Sequence, residues 1–219
     1  MKIYLLRHGE AKHNAQRVFP IDDKGSPLTE KGKQQAEQAA GTVKNLGITH
    51  VYSSDMRRAL DTASIATKDL GLEIQRDDRL RELGNGKKTR MAGLPYTQIP
   101  KDFLDNQDKY GGEPFEALYE RSRKFIKNLQ NQIEDDNANI LLVGHGGQQC
   151  MIIYCLSEDL NKPFDEKSFK EKYFKDRSNA SITMMDMGEY KPGFKHLIKP
   201  TMVCGEDRGT ITTVANTKE

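Results

Sequence analysis

Two of the five histidines, His8 and His145, occupy matching positions in the chain. Each directly follows a short apolar run and directly precedes a glycine. The carboxyl end of a buried strand is where open α/β sheets bind ligands, and a glycine there lets a ligand or another backbone approach closely. An unprotonated imidazole can act as a nucleophile or a metal ligand, although a single histidine of this kind is more often a hydrogen-bonded loop residue. Because the two positions match, we expect both histidines to serve one site.

Arginines are the second unusual feature. Arg7 adjoins His8, and Arg57 and Arg58 fall in the first turn of a predicted helix. That end of a helix carries partial positive charge and normally prefers acidic residues. A bound anion would explain the arginines, since guanidinium groups and free backbone N–H groups would meet on the same oxygens. The alternative is that both helix arginines pair with aspartates on the surface, and helical periodicity does not decide which of them faces a site.

Two histidines and two arginines together suit a small dianion, for which phosphate is the obvious candidate. Metal binding is the competing interpretation, but the sequence contains no HExxH helix and no histidine-rich spacing typical of zinc or non-haem iron. We therefore expect neither a metal nor a cofactor. The 34 Lys+Arg against 32 Asp+Glu leave a formal charge of +2, so no overall field favours nucleic acid or an anionic membrane as a partner.

The composition is that of a polar globular protein. The chain has 219 residues, 36% of them hydrophobic, which is enough for one substantial domain over residues 1–219. No apolar run approaches the roughly 18 residues that cross a bilayer, and the N-terminal run at residues 3–6 is too short for a secretory signal. We expect a cytoplasmic protein. The three cysteines form no CxxC pair, which indicates buried thiols.

The predicted elements alternate between strand and helix. The strands are predicted at residues 2–6, 49–53, 139–143 and 180–187. The helices are predicted from an N-cap at Thr29 to near Gly47, from an N-cap at Ser54 or Asp55, and over 148–156. Continuous apolar strands separated by helices predict a three-layer α/β domain with a mostly parallel central sheet. Periodicity fades over residues 84–112, where we expect a lid or cap of loops and short helices over the strand ends.

These residues resemble the histidine phosphatase superfamily, the phosphoglycerate mutase-like proteins. The resemblance begins with Arg7-His8-Gly9-Glu10 at the end of the first strand. It continues in the family's order through Asn14, residues 27–32 with 35–36, 53–59 with 62–63, 80–82, 112–113, 143–147 and 179–182. The matches cover most of residues 1–187, and their co-occurrence is far more specific than a lone RHG tripeptide.

The resemblance implies a role for each matching residue. His8 would be the nucleophile that becomes phosphorylated, and Glu82 would be the proton donor to the leaving group. The Arg-Ala step of the motif selects Arg58 rather than Arg57. The phosphoryl oxygens would be held by Arg7, Asn14, Arg58, His145 and Gly146. A hydrogen bond from the other ring nitrogen of His8 to the backbone at Gly9 would fix its tautomer.

Several positions depart from the family's pattern and concern the substrate. Ala11 stands where many members have Ser or Thr, and Pro114 replaces a serine. Residues 83–88 lack both the aromatic-rich pattern of many family phosphatases and the Glu-Arg-x-Tyr-Gly run of the mutases. We interpret the basic residues in 87–90 as a solvated loop, with contact to a second anionic group as the alternative. Glu10 and Glu113 are expected to be outer acids, and rim contacts are expected from His13, Tyr96 and Tyr110.

The sequence therefore predicts a metal-independent, histidine acid-type phosphatase that acts on a small phosphorylated metabolite. Three alternatives stand beside it. One is a 2,3-bisphosphoglycerate-dependent phosphoglycerate mutase, against which the missing Glu-Arg-x-Tyr-Gly run argues. The others are a protein phosphatase and a binding module that has kept the pocket without turnover.

Overall fold

A six-stranded sheet forms the centre of the fold. The computed structural model describes residues 1–20, 26–84, 91–103, 105–174, 178–187 and 201–204. The strands are β1 (Lys2–Arg7), β2 (His50–Ser53), β3 (Ile74–Arg76), β4 (Asn139–Gly144), β5 (Ile182–Asp186) and β6 (Thr201–Cys204). Their order across the sheet is β3-β2-β4-β1-β5-β6. The four strands from β3 to β1 run parallel to one another, whereas β5 and β6 are antiparallel to their neighbours.

Helices cover both faces of this sheet. They are α1 (Lys12–Ala15), α2 (Glu30–Val43), α3 (Arg57–Ala66), α4 (Phe115–Gln132), α5 (Gly146–Ser157) and α6 (Glu166–Ser168). Short 3-10 turns occur at Asp78–Leu80, Tyr96–Gln98 and Asp108–Tyr110, and a π-helical turn at Phe169–Tyr173. Alternate residues of β1 point to opposite faces, so Ile3 and Leu5 pack in the core that contains α4 and α5. Tyr4 and Leu6 pack with α2 and α3, which confirms the expected three-layer α/β/α architecture with a mostly parallel sheet.

The register between β1 and β4 explains why the two histidines occupy matching positions. Arg7 of β1 lies opposite Gly144 of β4 in the parallel pair, so the residues that follow leave the sheet side by side. The backbone N–H of His8 donates to the carbonyl oxygen of Gly144 at 2.9 Å. His8 and His145 are thus brought to the same edge of the sheet by backbone pairing alone.

The start of α3 differs from the prediction. The helix begins at Arg57, and the residue at its N-cap is Met56, which has no side-chain cap hydrogen bond. Ser54 instead accepts a hydrogen bond from the Met56 N–H through its Oγ at 3.3 Å. Asp55, the other predicted cap, forms an ion pair with Arg81. Neither Ser54 nor Asp55 is therefore the N-cap of α3.

The predicted cap segment is only partly described. Residues 85–90 and 104 of this segment lie outside the described residues. The backbone between 91 and 96 attaches to the loop after α1 through Phe19 N–H to Leu94 O at 2.9 Å and Tyr96 N–H to Arg17 O at 2.9 Å. Its closure as a lid stays a prediction. In the described part of the chain, no helix is long and apolar enough to cross a membrane.

A glycine pair joins the loop after β1 to the first turn of α2. A Cβ added at Gly9 would lie 2.3 Å from the carbonyl oxygen of Gly32, and one added at Gly32 would lie 2.0 Å from that of Glu10. Thr29 caps the helix as expected, accepting the Gly32 N–H at 3.0 Å. The loop that carries His8 can approach α2 this closely only because neither position has a side chain.

We expect Gly32→Ala to destabilise the protein by about 1–3 kcal/mol, because backbone atoms must shift to admit the new Cβ. Gly41→Ala in the same helix is the matched control. Its Cβ would meet no described atom within 4 Å, and alanine is the better helix former by up to about 1 kcal/mol. Urea unfolding of the two variants checks both signs, and a neutral Gly32→Ala would contradict this account of the packing.

Candidate active site

His8 is held as a neutral imidazole with one nitrogen facing Arg58. The side chain is 2% exposed, and its Nδ1 lies 2.7 Å from the carbonyl oxygen of Gly9. A carbonyl only accepts, so Nδ1 carries the proton, as the sequence analysis expects. Nε2 then has a lone pair, which accepts from Nε of Arg58 at 3.2 Å. Burial, Arg58 and Arg7 together lower the pKa of His8 well below its ordinary 6.5, so the ring stays unprotonated at neutral pH.

The structure separates the two arginines that helical periodicity left equivalent. Arg58 is 2% exposed and points to His8. Arg57 is exposed and pairs with Asp61 through Nε at 3.1 Å. The hydroxyl of Thr62 connects α3 to the loop that carries His8. It donates to the Arg58 carbonyl at 2.7 Å and accepts the Gly9 N–H at 3.0 Å. Each of the two interpretations therefore holds for one arginine. Arg58 is a residue of the site, and Arg57 forms an ion pair on the helix surface.

His145 lies beside His8 with its ring centroid 5.1 Å away. Its Nε2 is 2.9 Å from Oγ of Ser54, whereas no described residue is hydrogen bonded to its buried Nδ1. We assign the Ser54 hydroxyl hydrogen to Nε2, which places the ring proton of His145 on Nδ1; a second hydrogen bond accepted by the Ser54 oxygen would give the other tautomer. Burial, Arg58, His8 and Arg7 lower the pKa of His145 well below 6.5. This histidine therefore offers one neutral N–H donor.

Arg7, Asn14 and Gly146 are the other three phosphate-binding candidates. Arg7 reaches the start of α5, where a Cβ added at Gly146 would lie 3.6 Å from the guanidinium carbon. Asn14 accepts the Ala11 N–H through Oδ1 at 3.0 Å and donates through Nδ2 to Nε2 of His13 at 3.0 Å. An amide nitrogen has two hydrogens, and Tyr96 is also within hydrogen-bond distance of the Asn14 side chain.

His13 is not the rim contact that the sequence predicts. It is buried behind Asn14, and its Nδ1 lies 2.8 Å from the hydroxyl of Ser26. The pKa of His13 is lowered to about 3, mainly by burial and further by Arg58 and Arg7. The sequence does not predict that His13 is buried, because a histidine in a polar segment next to the RHG motif can face either solvent or the interior. In the structure, His13 orients the Asn14 amide.

Glu82 is fixed against the start of α5. Its Oε1 accepts the backbone N–H of Leu83 at 2.8 Å and of Gln148 at 3.0 Å, and its Oε2 lies 3.4 Å from the Gly147 nitrogen. A Cβ at Gly147 would be 2.9 Å from the carboxylate, so the carboxylate can lie here because residue 147 has no side chain. A cavity of about 380 Å³ is lined by Arg58 and Glu82 together, and also by Gly84, Glu113 and Arg121.

The remaining candidates fall around this core. Glu10 accepts from the Thr29 hydroxyl at 2.8 Å, and Glu113 pairs with Arg121 at 2.7 Å, so both are outer acids as expected. Tyr96 is 40% exposed and close enough to Asn14 for a hydrogen bond. The hydroxyl of Tyr110 donates to Asp102 at 2.7 Å, and its place at the rim stays a prediction. The basic residues in 87–90 lie outside the described residues. Within the described ranges, no three His, Cys, Asp or Glu side chains form a metal-binding group.

We expect Ser54→Ala to weaken phosphate binding about tenfold, because His145 loses the partner that keeps its proton on Nδ1. Ser53→Ala is the matched control. Ser53 is equally buried, but its hydroxyl donates to the Ser54 carbonyl at 2.9 Å. Calorimetry with inorganic phosphate measures the affinity, and ¹⁵N spectra of the imidazoles report the tautomer. An unchanged tautomer in Ser54→Ala would show that the assignment is wrong.

The three lowered histidine pKa values predict a stability that falls with acidification. The unfolded chain takes up protons on these residues near pH 6.5, but the folded chain does not. Each histidine should therefore lower the free energy of unfolding by about 1.4 kcal/mol between pH 7.5 and 5.5. Urea unfolding of wild type and His13→Gln at both pH values tests the share of His13. We expect the drop to be about 1.4 kcal/mol smaller in the variant, and equal drops would contradict burial of a neutral His13.

Comparison with known proteins agrees with this geometry. The family model of the histidine phosphatase superfamily (branch 1) matches residues 3–198. The chain is 38% identical over 151 residues to the protein named probable phosphoglycerate mutase GpmB of Escherichia fergusonii, covering 67% of this chain and 70% of the relative. A mycobacterial glucosyl-3-phosphoglycerate phosphatase solved with VO3 aligns at 27% identity and TM-score 0.69 over 84% of this chain and 92% of that one. Bacillus stearothermophilus YhfR aligns at 26% identity and TM-score 0.70 over 90% and 94%. The chain belongs to the histidine phosphatase superfamily.

Proposed function

We propose that the protein is a metal-independent phosphomonoesterase that hydrolyses a small phosphorylated metabolite through a phosphohistidine at His8. The observation that carries the proposal is the state of this imidazole. Its Nδ1 is tied to the Gly9 carbonyl, and its Nε2 faces the Arg58 guanidinium with a lone pair. A nucleophilic nitrogen next to a cationic donor is suited to attack a phosphoryl group.

In the first half-reaction, Nε2 of His8 attacks phosphorus while the bond to the ester oxygen breaks. Arg58 and Arg7 stabilise the charge on the equatorial oxygens, and His145 adds a neutral N–H donor through Nδ1. The ester oxygen leaves as a strong base unless it is protonated. Glu82 lines the same cavity as Arg58 and supplies this proton in its acid form. The products are the free alcohol and phosphohistidine.

In the second half-reaction, water attacks the phosphorus and the bond to Nε2 breaks. The Glu82 carboxylate formed in the first step takes the proton of this water. Inorganic phosphate leaves, and the imidazole returns to the neutral tautomer that the Gly9 carbonyl selects. Glu82 thus alternates between acid and base, and the cycle closes without a metal.

A phosphoglycerate mutase is the second candidate, because the relative from Escherichia fergusonii is named as one. A mutase must keep water from the phosphoenzyme and return the phosphoryl group to a second oxygen of the substrate. The segment after Glu82 lacks the Glu-Arg-x-Tyr-Gly run of mutases. The similarity to a solved glucosyl-3-phosphoglycerate phosphatase supports hydrolysis. We therefore place the phosphatase first.

We expect His8→Ala to abolish both phosphate release and acid-labile labelling by a ³²P-phosphomonoester. His50→Ala is the control, because His50 is at the opposite end of β2 and interacts with the Thr49 hydroxyl. Quenched gels and a phosphate-release assay on sugar phosphates, nucleotides, glycerate phosphates and phosphopeptides give the two readouts. Sustained turnover by His8→Ala would overturn the mechanism.

The same wild-type preparation distinguishes the two candidate activities. With 3-phosphoglycerate and catalytic 2,3-bisphosphoglycerate, a phosphatase releases inorganic phosphate, whereas a mutase forms 2-phosphoglycerate without net release. Interconversion without release would reverse the order of the candidates. Phosphate binding without turnover on any ester would favour a binding module.

A further inference from the structure

The guanidinium group of Arg121 is fully occupied by the segment that carries Glu82. From the middle of α4, its Nε donates to Glu113 at 2.7 Å and its Nη2 donates to the other carboxylate oxygen at 2.8 Å. Nη1 donates to the carbonyl oxygens of Arg79 at 2.6 Å and Arg81 at 2.8 Å. Nη2 also donates to the carbonyl oxygen of Glu82 at 2.9 Å. All five N–H donors that an arginine possesses are therefore used.

Glu113 holds the same segment from the other side. Its Oε2 accepts the Gly84 N–H at 2.6 Å, and its own backbone N–H donates to the Gly84 carbonyl at 2.8 Å. The backbone is thus bound at Glu82 and at the second residue after it. Arg121 and Glu113 each have side chains that are only 19% exposed, so solvent screening weakens this pair less than a surface pair.

These contacts complement those of the Glu82 carboxylate. The carboxylate is bound to backbone N–H groups at the start of α5, whereas the carbonyls around it are bound to α4 through Arg121. A general acid must lie within hydrogen-bond reach of the leaving oxygen, so a displacement of its backbone directly lowers its efficiency.

We propose that Arg121, paired with Glu113, is a positioning residue for Glu82, and that it acts on leaving-group protonation rather than on attack by His8. This inference rests on the proposed function. Neither side chain needs to touch the substrate. Lysine cannot replace Arg121, because an ammonium group has three donors and no planar fork for a carboxylate and several carbonyls at once.

The test compares two substrates that differ in their need for an acid. An alkyl phosphomonoester has a poor leaving group that must be protonated, whereas p-nitrophenolate leaves without protonation. For both, kcat/KM reports the steps up to phosphohistidine formation, so the later attack by water does not enter. We expect Arg121→Lys to lower kcat/KM for the alkyl ester at least about tenfold more than for p-nitrophenyl phosphate. Glu82→Gln sets the upper limit of this selective loss.

Arg123→Lys is the matched control. Arg123 lies two positions along α4 and forms its own pair with Glu120 at 3.4 Å, away from the Glu82 segment. We expect it to leave both kcat/KM values unchanged. Glu113→Gln is the second test variant, because it keeps the size of the side chain and removes its charge. It should show the same selective loss in a smaller degree.

The outcomes separate this inference from the proposed function. Equal losses on both substrates in Arg121→Lys and Glu113→Gln, or failure of both to fold, would show that the pair only supports the fold and would overturn the inference. If wild type neither hydrolyses the esters nor becomes labelled at His8, the proposed function itself fails. If Glu82→Gln shows no selective loss, Glu82 is not the acid and the inference falls with that role.

Discussion

The hydrogen bond from Nδ1 of His8 to the Gly9 carbonyl decides which ring nitrogen keeps a lone pair. With the proton held there, Nε2 keeps its lone pair and accepts a hydrogen bond from Nε of Arg58. This is the nitrogen that we propose as the nucleophile. The bond requires the loop after β1 to turn tightly against α2, which the two glycines at 9 and 32 permit. The chemistry of one ring therefore depends on backbone packing that is independent of any ligand.

Arg7 and Arg58 lie next to both buried histidines of the site, and Glu82 lines the same cavity as Arg58. Burial, and after it Arg58 and Arg7, lower the pKa of both histidines, so the histidines contribute neutral N–H and lone-pair groups while the arginines contribute the charge. An anion that enters meets positive charge and preorganised donors, and it relieves the repulsion between the two guanidinium groups. The overall charge of +2 conceals this local excess. A single phosphoryl group can be held tightly while long-range attraction to a polyanion stays weak.

Sequence patterns predicted the parts of the fold that depend on local signals. β1 and β4 are continuous apolar runs, and Thr29 does cap α2. Only the family motif selected Arg58 over Arg57 as the site residue. Helical periodicity alone cannot show which face of α3 meets the site, because that depends on the contact between Thr62 and Gly9. The short strands β3 and β6 lack enough residues to show alternation. α4 is absent from the predicted elements, although its buried residues recur at helical spacing among many charged ones. Arg121 could not be found from sequence, since its carbonyl partner Glu82 is 39 residues away and carbonyls carry no residue identity.

The strand order has a consequence for how the chain is made. β1 lies between β4 and β5, and β4 begins at Asn139, so both strands that pair with β1 come far later in the chain. β1 is therefore synthesised long before β4, the first of its two neighbours in chain order. Contacts of such long sequence separation form slowly. A nascent chain that already contains His8, Arg58 and Glu82 therefore has no pocket, and its first strand needs protection from aggregation until β4 joins the two halves of the sheet.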